Sequence, residues 1–154
     1  MIMKRRKMNN KGFTLVELIV VLVILAILAA ILVPTLMGYI DRAKKEKDFS
    51  TAQTVRVAYQ SALAEAYAKW DGNGNLEDKV EASSVWRLVG ATGSNNNYTL
   101  DGVPVSYDAV TLDKTNNSYQ ILKMHVTING NNYYLMNNTW SADKPSGFDG
   151  TNGG

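Results

Sequence analysis

Hydrophobic and polar positions change rhythm three times along this chain. From Phe13 to Val33 almost every side chain is apolar, and Glu17 is the single ionisable group. Leu18–Val33 is apolar without a break for 16 residues, and counted from Phe13 the segment has 21. That is close to the ~20 residues that a helix needs to cross a ~30 Å hydrocarbon core. After Asp41 the pattern becomes amphipathic. Ala52, Val55, Tyr59, Ala62, Ala66 and Trp70 recur at spacings of three and four, which lays one apolar stripe along a helix. A continuous helix over 13–70 would extend about 87 Å at 1.5 Å per residue. Only its second half carries a face suited to its own domain. The first half must bury itself in lipid or in other copies.

The third rhythm is that of short strands. Asp71-Gly72-Asn73-Gly74-Asn75 closes the long helix. A short helix, capped by Ser83 or Ser84, runs to Val89, and Gly90 stops it. The stretch 90–97 reads as a loop, and strands are predicted at 98–100, 103–110, 119–128 and 132–136. Asp101-Gly102 fits a two-residue hairpin turn, and Asn129-Gly130 opens another short connection. Pro104 places the second strand at an edge, because proline cannot donate to a ladder. Tyr133 and Tyr134 divide between the two sheet faces. The expected architecture is α+β: a long N-terminal helix, its first half hydrophobic, packed on a small antiparallel sheet. The expected division is a basic leader at 1–12, an apolar helix at 13–37, a head at 38–140 and a mobile tail at 141–154.

Composition removes several functions. Among 154 residues there is no cysteine, so disulfides, thiolate catalysis and cysteine metal sites are excluded. Five of the 16 basic residues, Lys4, Arg5, Arg6, Lys7 and Lys11, precede Phe13, whereas all 14 acidic residues follow it. The formal +2 therefore hides a body at −3, which argues against nucleic acid as a partner. His125, the only histidine, lies in a strand-like run and reads as a strand residue rather than a general base. Asp71, Asn73 and Asn75 have the alternation that opens a calcium loop, but Leu76 and Ala82 stand where such a loop needs glycine and glutamate. A helix-terminating loop is the preferred reading there. No catalytic constellation or cofactor motif is present, and a non-enzymatic protein is expected.

Glu17 is the informative residue. An acidic side chain at mid-bilayer costs roughly 2.5–3.5 kcal/mol on insertion scales. The favourable interaction with a helix N-terminus, about 0.3–1 kcal/mol, offsets that only if the carboxylate lies at the interface. The order Lys11-Gly12-Phe13-Thr14-Leu15-Val16-Glu17, with basic residues before it and an apolar helix after it, resembles the class III signal of type IV pilins and pseudopilins. The resemblance covers residues 4–34. It implies cleavage between Gly12 and Phe13 by a prepilin peptidase on the cytoplasmic side, N-methylation of Phe13, and an acidic assembly residue at Glu17. Pro34 matches a proline common later in that helix, where it is expected to kink the chain near the membrane exit, with Gly38 adding freedom. Gly12 suits the scissile position because it lets a peptidase approach the backbone closely.

Cleavage would create a positive amine on Phe13. In the bilayer or a filament core that amine can meet Glu17 of a neighbouring subunit. Two unit charges at 4 Å attract by roughly 4 kcal/mol at an effective dielectric of 20, comparable with the insertion cost. The resemblance thus implies a homo-oligomeric helical filament, with the membrane and its pilus assembly machinery as earlier partners. The precursor would be a single-pass membrane protein with its N-terminus in the cytoplasm, and the assembled form extracellular, serving adhesion, motility or DNA uptake. The alternatives are a pseudopilin of a secretion or competence system, and a membrane-anchored binding module that keeps its N-terminus and forms no polymer. Family pilins often close the C-terminal region with a disulfide. This chain must hold that region by packing, hydrogen bonds or ions.

Overall fold

The structure is a computed structural model and describes residues 12–95, 97–115 and 118–149. The basic cluster at Lys4–Lys7 and Lys11 lies outside the described residues. Helix α1 spans Leu15–Lys69, starting two residues later than the pattern suggested because Thr14 caps it. It continues through Pro34. Proline has no N–H for the carbonyl four residues earlier, and the neighbouring Thr35 hydroxyl donates to the Leu32 carbonyl at 2.8 Å. Among the described residues the chain divides into two units that meet between Lys44 and Lys45.

In the first unit every large apolar side chain from Phe13 to Ile40 is at least 50% exposed. A water-soluble helix does not leave so continuous an apolar surface without a partner. This is the one helix, among the described residues, long and apolar enough to cross a membrane.

The second unit is α+β. Six antiparallel strands follow one another in chain order: β1 Thr92–Ser94, β2 Asn97–Leu100, β3 Val103–Asp113, β4 Gln120–Ile128, β5 Asn131–Met136 and β6 Thr139–Ser141. Ala52, Val55, Ala58, Tyr59, Ala62 and Leu63 of α1 are buried in one core with Val105, Met124, Val126, Ile128, Tyr133 and Leu135 of the sheet. Helix α2, Ala82–Val89, adds Val85 and Trp86. Its N-cap is Glu81 with no side-chain cap bond, so neither Ser83 nor Ser84 plays that part; both lie inside its first turn. Gly90 ends it in the left-handed conformation, φ 85°.

Hairpin chemistry explains the order of the strands. Asp101-Gly102 and Asn129-Gly130 both take positive φ at both positions, the requirement of a type I′ turn. Asn137-Asn138 does the same without glycine, and so β6 forms beyond the last predicted strand. β1 also lies within the stretch expected to be a loop. A side chain at Gly93 would run into the Asn97 carbonyl, so only glycine lets β1 come this close to β2.

Pro104 is not on an edge strand: β3 pairs with both β2 and β4. Its position avoids the missing donor. The Pro104 carbonyl accepts from the Asn129 N–H at 2.9 Å, beside the β4–β5 turn, and the ladder with β4 begins only at Val105. β3 and β4 also carry compensating bulges. Between the pairs Asp108↔His125 and Thr111↔Lys123 the extra residue is on β3, where Ala109 has φ 49°; before Leu112↔Ile121 it is on β4, at Leu122. The inward set therefore changes parity, from Val105 to Val110 and Leu112 on β3, and from Met124 to Ile121 on β4.

The C-terminal segment is not free over the part described. Phe148 is only 4% exposed and meets Tyr134 edge to face at 5.0 Å. Lys123 Nζ donates to the Gly147 carbonyl at 2.9 Å and pairs with Asp149 at 3.0 Å. Residues 141–149 thus form a strap rather than the mobile tail expected at 141–154, and residues 150–154 lie outside the described part. A buried ring and a lysine bridging two acceptors are signals that composition alone does not carry.

Candidate processing and assembly site

Residues Gly12, Phe13 and Thr14 precede the first helical turn and are all exposed. Gly12 has open space on the side where a Cβ would stand, and Phe13 is 92% exposed. The junction between them is free of tertiary packing, as a backbone entering a protease cleft must be.

Thr14 and Glu17 are joined by three hydrogen bonds. The Thr14 N–H and the Thr14 hydroxyl both donate to Glu17 Oε2 at 2.8 Å, and the Glu17 N–H donates to the Thr14 hydroxyl oxygen at 3.2 Å. This is a capping box: each residue satisfies a backbone N–H of the other at a helix start. The structure thus brings Glu17 to the first turn of α1, where the helix dipole favours a negative charge. Sequence reasoning gave Thr14 no role, although the Thr-x-x-Glu spacing of a capping box was legible.

The first residues match the Prokaryotic N-terminal methylation motif over residues 7–33. The chain is also 30% identical to the type IV major fimbrial protein FimA of Dichelobacter nodosus, over 69% of this chain and 67% of that protein. The chain belongs to the type IV pilin family. It is a pilin subunit, and pilins are structural proteins. No solved structure gives a significant match. The exposed apolar half of α1 fits a membrane-anchored pilin precursor.

Two other polar features of this pilin are engaged by neighbouring groups. His125 lies on the sheet face opposite the core. Its Nδ1 is 2.7 Å from Asp108 Oδ1, its Nε2 3.1 Å from Asn132 Oδ1, and its ring stacks on Tyr134 at 4.7 Å. Both ring nitrogens are therefore engaged by neighbours within the sheet. In the 71–75 loop the Asp71 carboxylate accepts from the Asn73 N–H at 3.0 Å and from the Asn73 amide at 3.1 Å. Those bonds hold its pKa below the usual carboxylate value. Among the described residues no cluster of three or more His, Cys, Asp or Glu is arranged to hold a metal.

Proposed function

We propose that this pilin is cleaved between Gly12 and Phe13, methylated on the new Phe13 amine, and polymerised through α1 into an extracellular type IV filament. The observation that carries this reading is the open Gly12–Phe13 junction placed just before the stretch of α1, from Leu15 to Ile40, that buries none of its large apolar side chains. A prepilin peptidase acts from the cytoplasmic side, where the basic leader holds the N-terminus. The assembly machinery of the inner membrane then passes the subunit into the filament. Glu17 receives the Phe13 amine of an adjacent subunit and fixes the axial step. Pro34 weakens the helix locally, so that it adapts as neighbours pack. The protein has no catalytic role of its own and needs no cofactor. The leader at 1–12, the assembly helix at 13–37 and the head at 38–140 divide the work.

The similarity to a major fimbrial protein supports a pilus subunit over the piston of a secretion or competence system. The filament would serve adhesion, motility or DNA uptake. Mass spectrometry of sheared surface fibres should return a mature chain beginning with methylated Phe13. A chain beginning at Met1, or one cut after Ala30, would rule the processing out. Glu17→Gln should leave cleavage intact and strongly reduce filaments, since an unpaired buried ammonium costs about 3–5 kcal/mol.

A further inference from the structure

We propose that Thr14 is the positioning residue of the assembly motif: it holds the Glu17 carboxylate in one rotamer and presents it to an incoming subunit. This rests on the reading of Glu17 as the docking charge and adds the residue that sets it.

A glutamate side chain on a lone exposed helix has three freely rotating bonds, and ordering it on docking costs free energy each time. Here the ordering is done beforehand. Two of the three bonds between Thr14 and Glu17 fall on Oε2, at 2.8 Å each; among the described residues Oε1 accepts none. One carboxylate oxygen is thus occupied and the other is left for a cation. The same bonds supply hydrogen-bond donors to a carboxylate that would otherwise enter the bilayer with none. Timing favours the arrangement as well. The Thr14 N–H belongs to the Phe13–Thr14 peptide, which cleavage after Gly12 does not touch. The box that serves the precursor therefore persists when the Phe13 amine appears.

Ordinary helix capping and carboxylate positioning make different demands at residue 14. Capping needs only an acceptor for the Glu17 N–H, and aspartate supplies it as well as threonine. Positioning needs a hydroxyl donor, and aspartate instead sets a second negative charge beside Glu17. Thr14→Val, Thr14→Ser and Thr14→Asp should be made in the full-length protein in its own cells, with Glu17→Gln alongside. Cleaved and uncleaved subunit and the yield of sheared filaments would be scored. The valine variant should be cleaved normally and lose filaments about fivefold or more. Serine should restore them, and aspartate should not. Filaments from the aspartate variant at wild-type yield would reduce Thr14 to a cap and overturn the proposal. Normal filaments from the valine variant beside a defective Glu17→Gln would do the same. A valine variant that is not cleaved would place Thr14 in processing instead, also against it. Normal filaments from Glu17→Gln itself would remove the docking charge on which the proposal stands.

Discussion

The Tyr133 hydroxyl donates to Asp48 Oδ2 at 2.9 Å, linking β5 to α1 at the edge of the core. Phe49 meets the same ring edge to face at 4.9 Å. Tyr133→Phe keeps the ring packing and removes only this hydrogen bond. It should cost the head about 1 kcal/mol, lowering the melting temperature by about 5 °C. Calorimetry showing no change would mean that the bond is matched by water in the unfolded chain.

The same hydroxyl predicts an alkaline limit. Burial, then the hydrogen bond and charge of Asp48, push Tyr133 up to about 12, and burial does the same to Tyr107. Between the two values the folded state still binds the proton that the unfolded tyrosine has released, so stability falls as pH rises. With a raised folded value the contribution is fully present below about pH 10 and lost as pH rises toward 12. Head stability should therefore fall steeply across that window. The phenolate absorbance near neutral pH should be absent, and in Tyr133→Phe the fall should be shallower.

Phe148 closes the strap. Phe148→Ala removes a ring that is 4% exposed and should cost about 3 kcal/mol if the site cannot collapse. The strap would detach from Tyr134 while β3–β5 stay paired. Amide hydrogen exchange should then rise over residues 143–149 and remain slow at Met124 and Val126. Fast exchange throughout the sheet would show that the strap is part of the cooperative core.

Acid should loosen the same segment. The hydrogen bond from Lys123, followed by a backbone bond, holds the Asp149 carboxyl below its ordinary value of 3.8. A depressed carboxylate contributes stability above the unfolded value and loses it as pH falls through the folded one. Strap contacts, followed by the Phe148 ring resonances, should therefore weaken below pH 3.8. Asp149→Asn should flatten that response.

A chain beginning at Gly38 should be soluble, folded and monomeric. The stripe from Ala52 to Leu63 finds its sheet within residues 45–154, and the apolar surface that seeks other copies is removed. Sedimentation equilibrium would check this. A truncated head that still polymerised would move the assembly interface out of α1.

Much of this was legible in the residues. The apolar stripe on α1 and four of the six strands follow directly from periodicity, because burial on one face leaves a period in the sequence. β1 and β6 escaped it. Each has three residues, too short for a period, and their turns rely on Asn95 and on Asn137-Asn138, where asparagine replaces the glycine that signals a turn. The compensating bulges defeated parity for a related reason. An extra residue at Ala109 and another at Leu122 each reverse which side chains face inward, and no local composition announces them. Pro104 misled because proline lacks only the ladder's N–H donor, and its carbonyl can still accept within an interior strand. Gly12, Phe13 and Glu17 stood out as chemistry. Thr14 did not, because its part is visible only once the bonds to Glu17 are drawn.

The strap that ends in Asp149 is fastened by an ammonium and an aromatic ring, in a chain with no cysteine. Its closure therefore needs no oxidant and no thiol–disulfide isomerase. A reductant has nothing in this head to cut. Its fastening is set by charge and burial, so it does not depend on the redox potential of the compartment in which the head folds.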